Sequence, residues 1–158
     1  MSTSSRIQVI PLDQIPLQIR SRPDAKQPPV ILVVDDERVI ADTLSIILSR
    51  NGFSVQTAYD ADSALELARV IPPHLLLSDV MMGPGMDGTQ LAIEMSRRNP
   101  DCKVILFSGH AAVQDLLAKA SSQGYSFTLL TKPLHPADLL TTIAESLGSM
   151  ANAGQSLS

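Results

Sequence analysis

The chain has 158 residues, of which 44% are apolar, 18% are charged and 3% are aromatic, with no tryptophan. These fractions predict one soluble globular domain with a core of aliphatic side chains. The formal net charge of −4 excludes a broad basic surface of the kind that binds nucleic-acid phosphates, so we expect no direct contact with nucleic acid.

The lack of a recognisable targeting signal and the single cysteine indicate the cellular compartment. No segment has the roughly 20 consecutive apolar residues of a membrane span, and the first residues lack the apolar stretch of a signal peptide. The single Cys102 cannot form an internal disulfide and is read as a small apolar residue. We therefore expect a cytoplasmic protein that does not bind a membrane.

Both ends of the chain are predicted to lie outside the folded domain. The first 29 residues contain five prolines, which interrupt helices, so we expect a flexible N-terminal arm over 1–28. This arm could also add an edge strand or bind a partner. Small and polar residues after Gly148 predict a disordered C-terminal tail over 149–158. The remaining residues, 29–148, are expected to form the domain.

Strand and helix patterns alternate from the start of this domain. VILVV at 30–34 predicts a strand, and apolar residues at helical spacing over 37–51 predict a helix that ends at Asn51-Gly52. FSVQTA at 53–58 predicts a second strand. Asp60 can then cap a second helix, which Pro72-Pro73 ends.

The alternation continues through the middle of the chain. LLLSD at 75–79 predicts the third strand, and residues 89–98 predict the third helix. KVILF at 103–107 predicts the fourth strand. Residues 111–122 predict the fourth helix.

A fifth unit closes the pattern and settles the predicted fold class. FTLL at 127–130 predicts a strand, and Pro136 to Leu147 predicts a helix with proline in its first turn. Short apolar strands separated by helices predict an α/β fold, a doubly wound five-stranded parallel sheet with helices on both faces. Ligands of such sheets bind outside the carboxyl ends of the strands.

Polar side chains follow four of the five predicted strands. Asp35 and Asp36 follow the first strand, Asp79 ends the third, and Ser108 and Lys132 follow the fourth and fifth. The carboxyl ends of parallel strands share one edge of the sheet, so these residues should converge there. Three neighbouring carboxylates repel one another unless a cation lies among them.

The ligand chemistry of this cluster indicates the cation. A few carboxylate oxygens with coordination positions left open suit Mg²⁺, whereas the three histidines lack the close spacing of a zinc site. A carboxylate nucleophile, a metal, a hydroxyl and an ammonium form a set suited to phosphoryl transfer. Singly, each residue also has a structural explanation as a helix cap, a strand-end serine or a solvated lysine.

Four sequence blocks, in this order, resemble the receiver domain of response regulators (CheY-like). They are VILVVDDE, LLLSDVMMGPGMDG, VILFSGH and LLTKP, and the resemblance spans about residues 29–148. It implies a flavodoxin-like (βα)5 fold and a part in a two-component or phosphorelay system. It also implies a phosphoprotein that catalyses only its own phosphorylation and dephosphorylation, so that it is not an enzyme in the usual sense.

The resemblance assigns roles to individual residues. Asp79 would accept phosphate from a sensor histidine kinase or a phosphotransfer protein, Ser108 would follow the phosphoryl group, and Lys132 would pair with it. The cofactor would be Mg²⁺. The implied metal residues are Asp35, Asp36, Asp79 and the backbone carbonyl of Met81.

The output of the domain, its oligomeric state and two alternative functions stay open. Eleven residues follow Leu147, which predicts a stand-alone receiver that signals by contact with a downstream protein the sequence does not name. Whether it forms a homodimer is open. The alternatives are a Mg²⁺-dependent phosphohydrolase with an aspartyl nucleophile and a receiver-like binding module that never uses phosphate.

Two positions depart from the family pattern. Leu129 occupies the place of an aromatic residue three positions before the lysine, and Phe127 is predicted to lie on the same strand face. The loop after Asp79 has one extra residue, because Gly83 occupies the usual place of a proline and Pro84 follows. His110 is read as an exposed loop residue or one that tunes hydrolysis of the acyl phosphate.

Overall fold

The computed structural model of the protein describes residues 27–109 and 113–155. The predicted N-terminal arm, apart from its last two residues, lies outside these ranges, as do His110 and residues 156–158. Five strands alternate with five helices. The strands are β1 (Val30–Val34), β2 (Ser54–Ala58), β3 (Leu75–Asp79), β4 (Lys103–Ser108) and β5 (Thr128–Thr131). The helices are α1 (Arg38–Arg50), α2 (Ala61–Val70), α3 (Gly88–Arg98), α4 (Val113–Ser122) and α5 (Pro136–Gln155).

All five strands form one parallel sheet in the order β2-β1-β3-β4-β5. The chain builds the sheet outward in both directions from β1, so the order changes direction between β1 and β3. This switch point leaves a crevice at the carboxyl ends of these two strands. The predicted doubly wound α/β fold is confirmed.

Alternate residues of the strands enter two separate cores. Leu76 and Leu106 pack in a cluster with α2 and α3, while Leu75, Leu77 and Phe107 pack in a second cluster with α1 and α5. β1, β3 and β4 are buried on both faces, which explains their continuous apolar sequences. The central strands therefore provide a rigid base for the residues at their ends.

Local signals set the ends of several elements. The Asp60 side chain accepts a hydrogen bond from the Ser63 amide at 2.7 Å and caps α2, as predicted. α1 ends where Gly52 adopts a φ of +92°, a conformation that glycine adopts without strain. Cys102 is buried, and its burial raises the pKa of the thiol to about 12, in keeping with its reading as an apolar residue.

The sequence prediction was wrong at the end of the last helix. α5 continues to Gln155, so residues 149–155 of the predicted disordered tail are helical. Gly148 was read as a stop, but a glycine inside a helix costs only about 1 kcal/mol and does not end it. Met150, Ala151 and Ala153 favour helix, and no proline follows. β5 also begins at Thr128, one residue later than predicted.

None of the helices in the described ranges combines the length and the hydropathy that a bilayer span requires.

Gly88, the first residue of α3, supports a prediction about stability. A Cβ atom at this position would overlap the carbonyl oxygen of Asp79 and lie 2.8 Å from the Cα of Val80. Gly88→Ala should therefore lower the free energy of unfolding by at least about 2 kcal/mol. Urea unfolding followed by circular dichroism measures the change.

Gly148 provides the matched control for this substitution. It lies in α5, and a Cβ added there meets no atom within 4 Å. Gly148→Ala should raise the free energy of unfolding by about 0.5–1 kcal/mol, because alanine is the better helix former. Equal effects of the two substitutions would contradict the close approach of α3 to β3.

Candidate functional site

Three carboxylates meet at the crevice between β1 and β3. Asp35, Asp36 and Asp79 each place one oxygen so that the three oxygens lie within 4.8 Å of one another. Asp35 and Asp79 are buried, whereas Asp36 is exposed. The strand register explains the meeting, because β1 pairs with β3 and the acidic residues stand at or just past their carboxyl ends.

Lys132 is the cation that faces this cluster. Its Nζ donates to Asp79 Oδ2 at 3.4 Å and lies 3.9 Å from Asp35 Oδ2. The ammonium also lies 5.4 Å from the centre of the Phe107 ring, which favours a positive charge above its face. One ammonium against three carboxylates leaves an excess of negative charge at the crevice.

Ser108 lies beside Lys132 at the same edge. The backbone N–H of Lys132 donates to the Ser108 carbonyl at 3.1 Å, and Ser108 pairs with Thr131 in the sheet register. One residue earlier, Phe107 pairs with Asp79. Ser108 is 3% exposed and therefore lies inside the edge of the site. The structure thus brings the predicted acceptor, hydroxyl and lysine to three adjacent strands.

The loop after β3 contributes backbone donors. The amide of Met81 donates to Asp79 Oδ1 at 3.3 Å, while the Met81 side chain is exposed. The amide of Gly83 donates to Asp36 Oδ2 at 2.9 Å. Sequence reasoning predicted Met81 as a carbonyl ligand and gave no role to the Gly83 amide, because a backbone donor leaves no signature in residue types.

Two further structural contributors were missed at the sequence level. Asp87 and Gln90 form a reciprocal capping box that fixes the start of α3, and the spacing Asp-x-x-Gln could have revealed it. The Phe107 ring below Lys132 had no such signal, because an aromatic residue in an apolar strand reads as core. Phe127 and Leu129 pack against the same core cluster, as the predicted strand face required.

Burial governs the protonation of the two inner carboxyls. Burial raises the pKa of Asp35 to about 6; the Glu37 amide and Lys132 oppose this shift, and Asp79 and Asp36 add to it. Burial also raises the pKa of Asp79, while Lys132 and the Met81 amide hold it down. Both ionised carboxylates are therefore costly in the metal-free protein.

The donor set fits a hard divalent cation. Asp35 Oδ2 is buried and has no hydrogen-bond partner, which is a costly state for a carboxylate oxygen. One oxygen of Asp35 lies within 4.8 Å of oxygens of two further carboxylates, and oxygen-only ligands of this kind suit Mg²⁺. The residues present are thus compatible with the predicted metal.

Comparison with known proteins identifies the family. The model of the response regulator receiver domain matches residues 31–144. This chain belongs to the response regulator receiver domain family. The matched range lies within the predicted domain of 29–148 and contains all the predicted site residues.

Curated relatives of this receiver domain are longer proteins. It is 35% identical over 116 residues to the nitrogen assimilation regulatory protein NtrX of Azorhizobium caulinodans, which is 73% of this chain and 25% of NtrX. It is 36% identical over 107 residues to the probable transcriptional regulatory protein TcrX of Mycobacterium tuberculosis, which is 68% of this chain and 44% of TcrX. The chain thus spans less than half the length of these relatives.

Solved receiver structures share the fold. A CheY-like receiver domain protein from Methanospirillum hungatei superposes with a TM-score of 0.72 at 29% identity, over 80% of this chain and 98% of that one. The receiver domain of NtrX from Brucella abortus superposes with a TM-score of 0.67 at 33% identity, over 75% of this chain and 98% of that one. The flavodoxin-like architecture is therefore shared over 98% of both neighbours.

The raised pKa of Asp35 predicts a stabilising substitution. The folded protein holds a proton on this group up to about pH 6, whereas the unfolded chain releases it near 3.8. The contribution of this group to stability is therefore full below about pH 4 and is lost as the pH rises through 6. Asp35→Asn cannot ionise and keeps an acceptor for the Glu37 amide, so it should raise the free energy of unfolding at pH 7 by about 1–3 kcal/mol.

Urea unfolding in the presence of a chelator measures this gain. It should shrink at pH 4, where Asp35 of the native protein is protonated. Asp101→Asn, in an exposed turn, is the matched control and should change the free energy of unfolding by less than about 0.5 kcal/mol. A variant no more stable than the native protein at pH 7 would show that Asp35 is not strained by its charge.

Proposed function

We propose that this receiver domain accepts a phosphoryl group on Asp79 from a histidine kinase or a phosphotransfer protein. The observation that carries the proposal is the position of Asp79, which is buried at the end of a central strand with Lys132 at 3.4 Å and two further carboxylates beside it. A carboxylate placed in this way has a neighbouring cation for the oxygens of an incoming phosphoryl group.

The reaction can be written from the residues at the site. An oxygen of Asp79 attacks the phosphorus of a phosphohistidine, the new P–O bond forms as the P–N bond breaks, and the donor imidazole takes up a proton. Lys132 would then pair with the phosphoryl oxygens, and Ser108, at the end of the adjacent strand, would donate to them. The product carries about two negative charges and three acceptor oxygens.

The proposed cofactor is Mg²⁺, held by Asp35, Asp36, Asp79 and the backbone carbonyl of Met81. When bound, it supplies positive charge that offsets the carboxylates and the phosphoryl oxygens. The buried Asp35 Oδ2, which has no hydrogen-bond partner and only a 3.9 Å contact with Lys132 Nζ, supports this assignment. Phosphorylation would then change how the domain contacts a downstream protein, by drawing Ser108 and Lys132 toward the new group.

Substitution of the acceptor tests the central step. Incubated with Mg²⁺ and acetyl phosphate, the native protein should gain one phosphoryl group by intact mass, and hydroxylamine should remove it, as expected for an acyl phosphate. Asp79→Asn should gain no phosphoryl group, because an amide is a far weaker nucleophile than a carboxylate. Asp101→Asn should behave like the native protein.

The outcomes separate the proposed function from its alternatives. No adduct in the native protein would favour the phosphate-independent binding module. Steady release of inorganic phosphate from a phosphomonoester, lost in Asp79→Asn, would favour the phosphohydrolase.

An apolar groove beside the acceptor supports a protein as the phosphodonor. It lies between α1 and the segment after β5, has a volume of about 550 Å³, and includes Val39, Ile40 and Leu134. Val39 is 78% exposed, which is unusual for an aliphatic side chain. Lys132 lines this groove and also contacts Asp79, so a protein seated there would place its donor group next to the acceptor.

This arrangement predicts a selective effect of Val39→Asn. Phosphoryl transfer from a partner histidine kinase should slow by about 10- to 150-fold, because burial of a valine side chain contributes roughly 1.5–3 kcal/mol to such a contact. Phosphorylation by acetyl phosphate should not change. Rates of loss of label from the radiolabelled kinase measure the first effect.

Ile46→Asn is the matched control on the same helix. Ile46 is 53% exposed but does not line the groove. Equal slowing by both variants, or slowing with acetyl phosphate as well, would contradict a donor contact at Val39.

A further inference from the structure

The loop between β3 and α3 contacts the segment that follows β1. Its Gly83 amide donates a hydrogen bond of 2.9 Å to Asp36 Oδ2. Asp36 follows β1, so this bond joins the two sides of the site through residues that are 47 positions apart in sequence. It comes from the part of the loop that is one residue longer than the family pattern.

Asp36 needs such a contact more than the other two carboxylates. Asp35 and Asp79 are held by burial and by contacts with Lys132, whereas Asp36 is exposed. An exposed aspartate side chain can rotate freely, and repulsion from two neighbouring carboxylates would turn it toward solvent. A backbone N–H directed at one of its oxygens opposes this rotation and reduces the repulsion.

We propose that Gly83 is a positioning residue whose backbone N–H holds the Asp36 carboxylate in the orientation that binds the divalent cation. This inference rests on the proposed function, because it assumes that the three carboxylates hold Mg²⁺. One oxygen of Asp36 accepts from Gly83, and the carboxylate keeps its second oxygen for the metal. The extra loop residue thus supplies a donor at a place where proline, the usual residue, has no N–H.

The local geometry provides a matched pair of substitutions. A Cβ atom at position 83 would lie 3.4 Å from Asp36 Oδ2, an ordinary contact distance, and the φ of Gly83 is not in the left-handed region. Gly83→Ala therefore keeps the N–H and its bond. Gly83→Pro removes the donor and leaves the carboxylates unchanged.

Calorimetric titration with Mg²⁺ measures the effect on the full chain. Gly83→Pro should weaken Mg²⁺ binding by about 3- to 10-fold, because the metal must then fix one freely rotating side chain, while Gly83→Ala should stay within about 2-fold of the native protein. The ¹³C chemical shift of the Asp36 carboxylate in metal-free protein should move in the proline variant and not in the alanine variant. Equal affinities in the native protein and the proline variant would overturn the inference.

A measurement on the native protein avoids any effect of the variants on folding. The Gly83 amide should exchange slowly with solvent deuterium both without Mg²⁺ and at saturating Mg²⁺, because the bond holds Asp36 in the binding orientation. Faster exchange on addition of Mg²⁺ would show that metal and amide compete for the carboxylate and would overturn the positioning role.

The same experiments separate this inference from the proposed function. Failure of the native protein to bind Mg²⁺ would overturn the metal assignment and the positioning role together. A native protein that binds Mg²⁺ and is phosphorylated on Asp79, with affinity unaffected in Gly83→Pro, would overturn the role of Gly83 alone.

Discussion

The crowding of three carboxylates at the carboxyl ends of β1 and β3 is the constraint on which the site depends. Their oxygens lie within 4.8 Å of one another, and Lys132 contacts two of the three residues. Mutual repulsion and burial both resist ionisation, as the raised pKa of Asp35 and Asp79 indicates. Such a cluster persists because the strands that carry it cannot move apart.

The rigidity of the sheet explains why this charge cluster is tolerated. β1, β3 and β4 are buried on both faces, and their alternate side chains enter two aliphatic cores. Packing of this extent contributes far more stability than a few strained carboxylates remove. The fold can therefore keep Asp35, whose buried Oδ2 has no hydrogen-bond partner, beside two further carboxylates.

The loop after β3 links stability to the chemistry of the site. Gly88 lets α3 begin directly against the carbonyl of Asp79, which fixes the end of the loop, while Gly83 contacts Asp36 near its middle. The segment between these glycines therefore has little freedom, because both of its ends are held. A longer loop need not be a looser one when its extra residue makes a contact across the crevice.

The sequence alone indicated the five strand-helix units, the two-sided parallel sheet and the identity of the acidic and basic residues at the strand ends. Those features follow from the period of apolar residues and from the rule that parallel strands share one carboxyl edge, and both are local properties of the chain. The sequence prediction was wrong at the end of α5, where Gly148 was read as the end of a helix that continues to Gln155. The sequence also gave no indication of the Phe107 ring below Lys132 or of the hydrogen bond from the Gly83 amide to Asp36. Contacts between a ring and an ammonium, or between a loop amide and a carboxylate 47 residues away, depend on how separate segments meet after folding, and no residue pattern encodes that meeting.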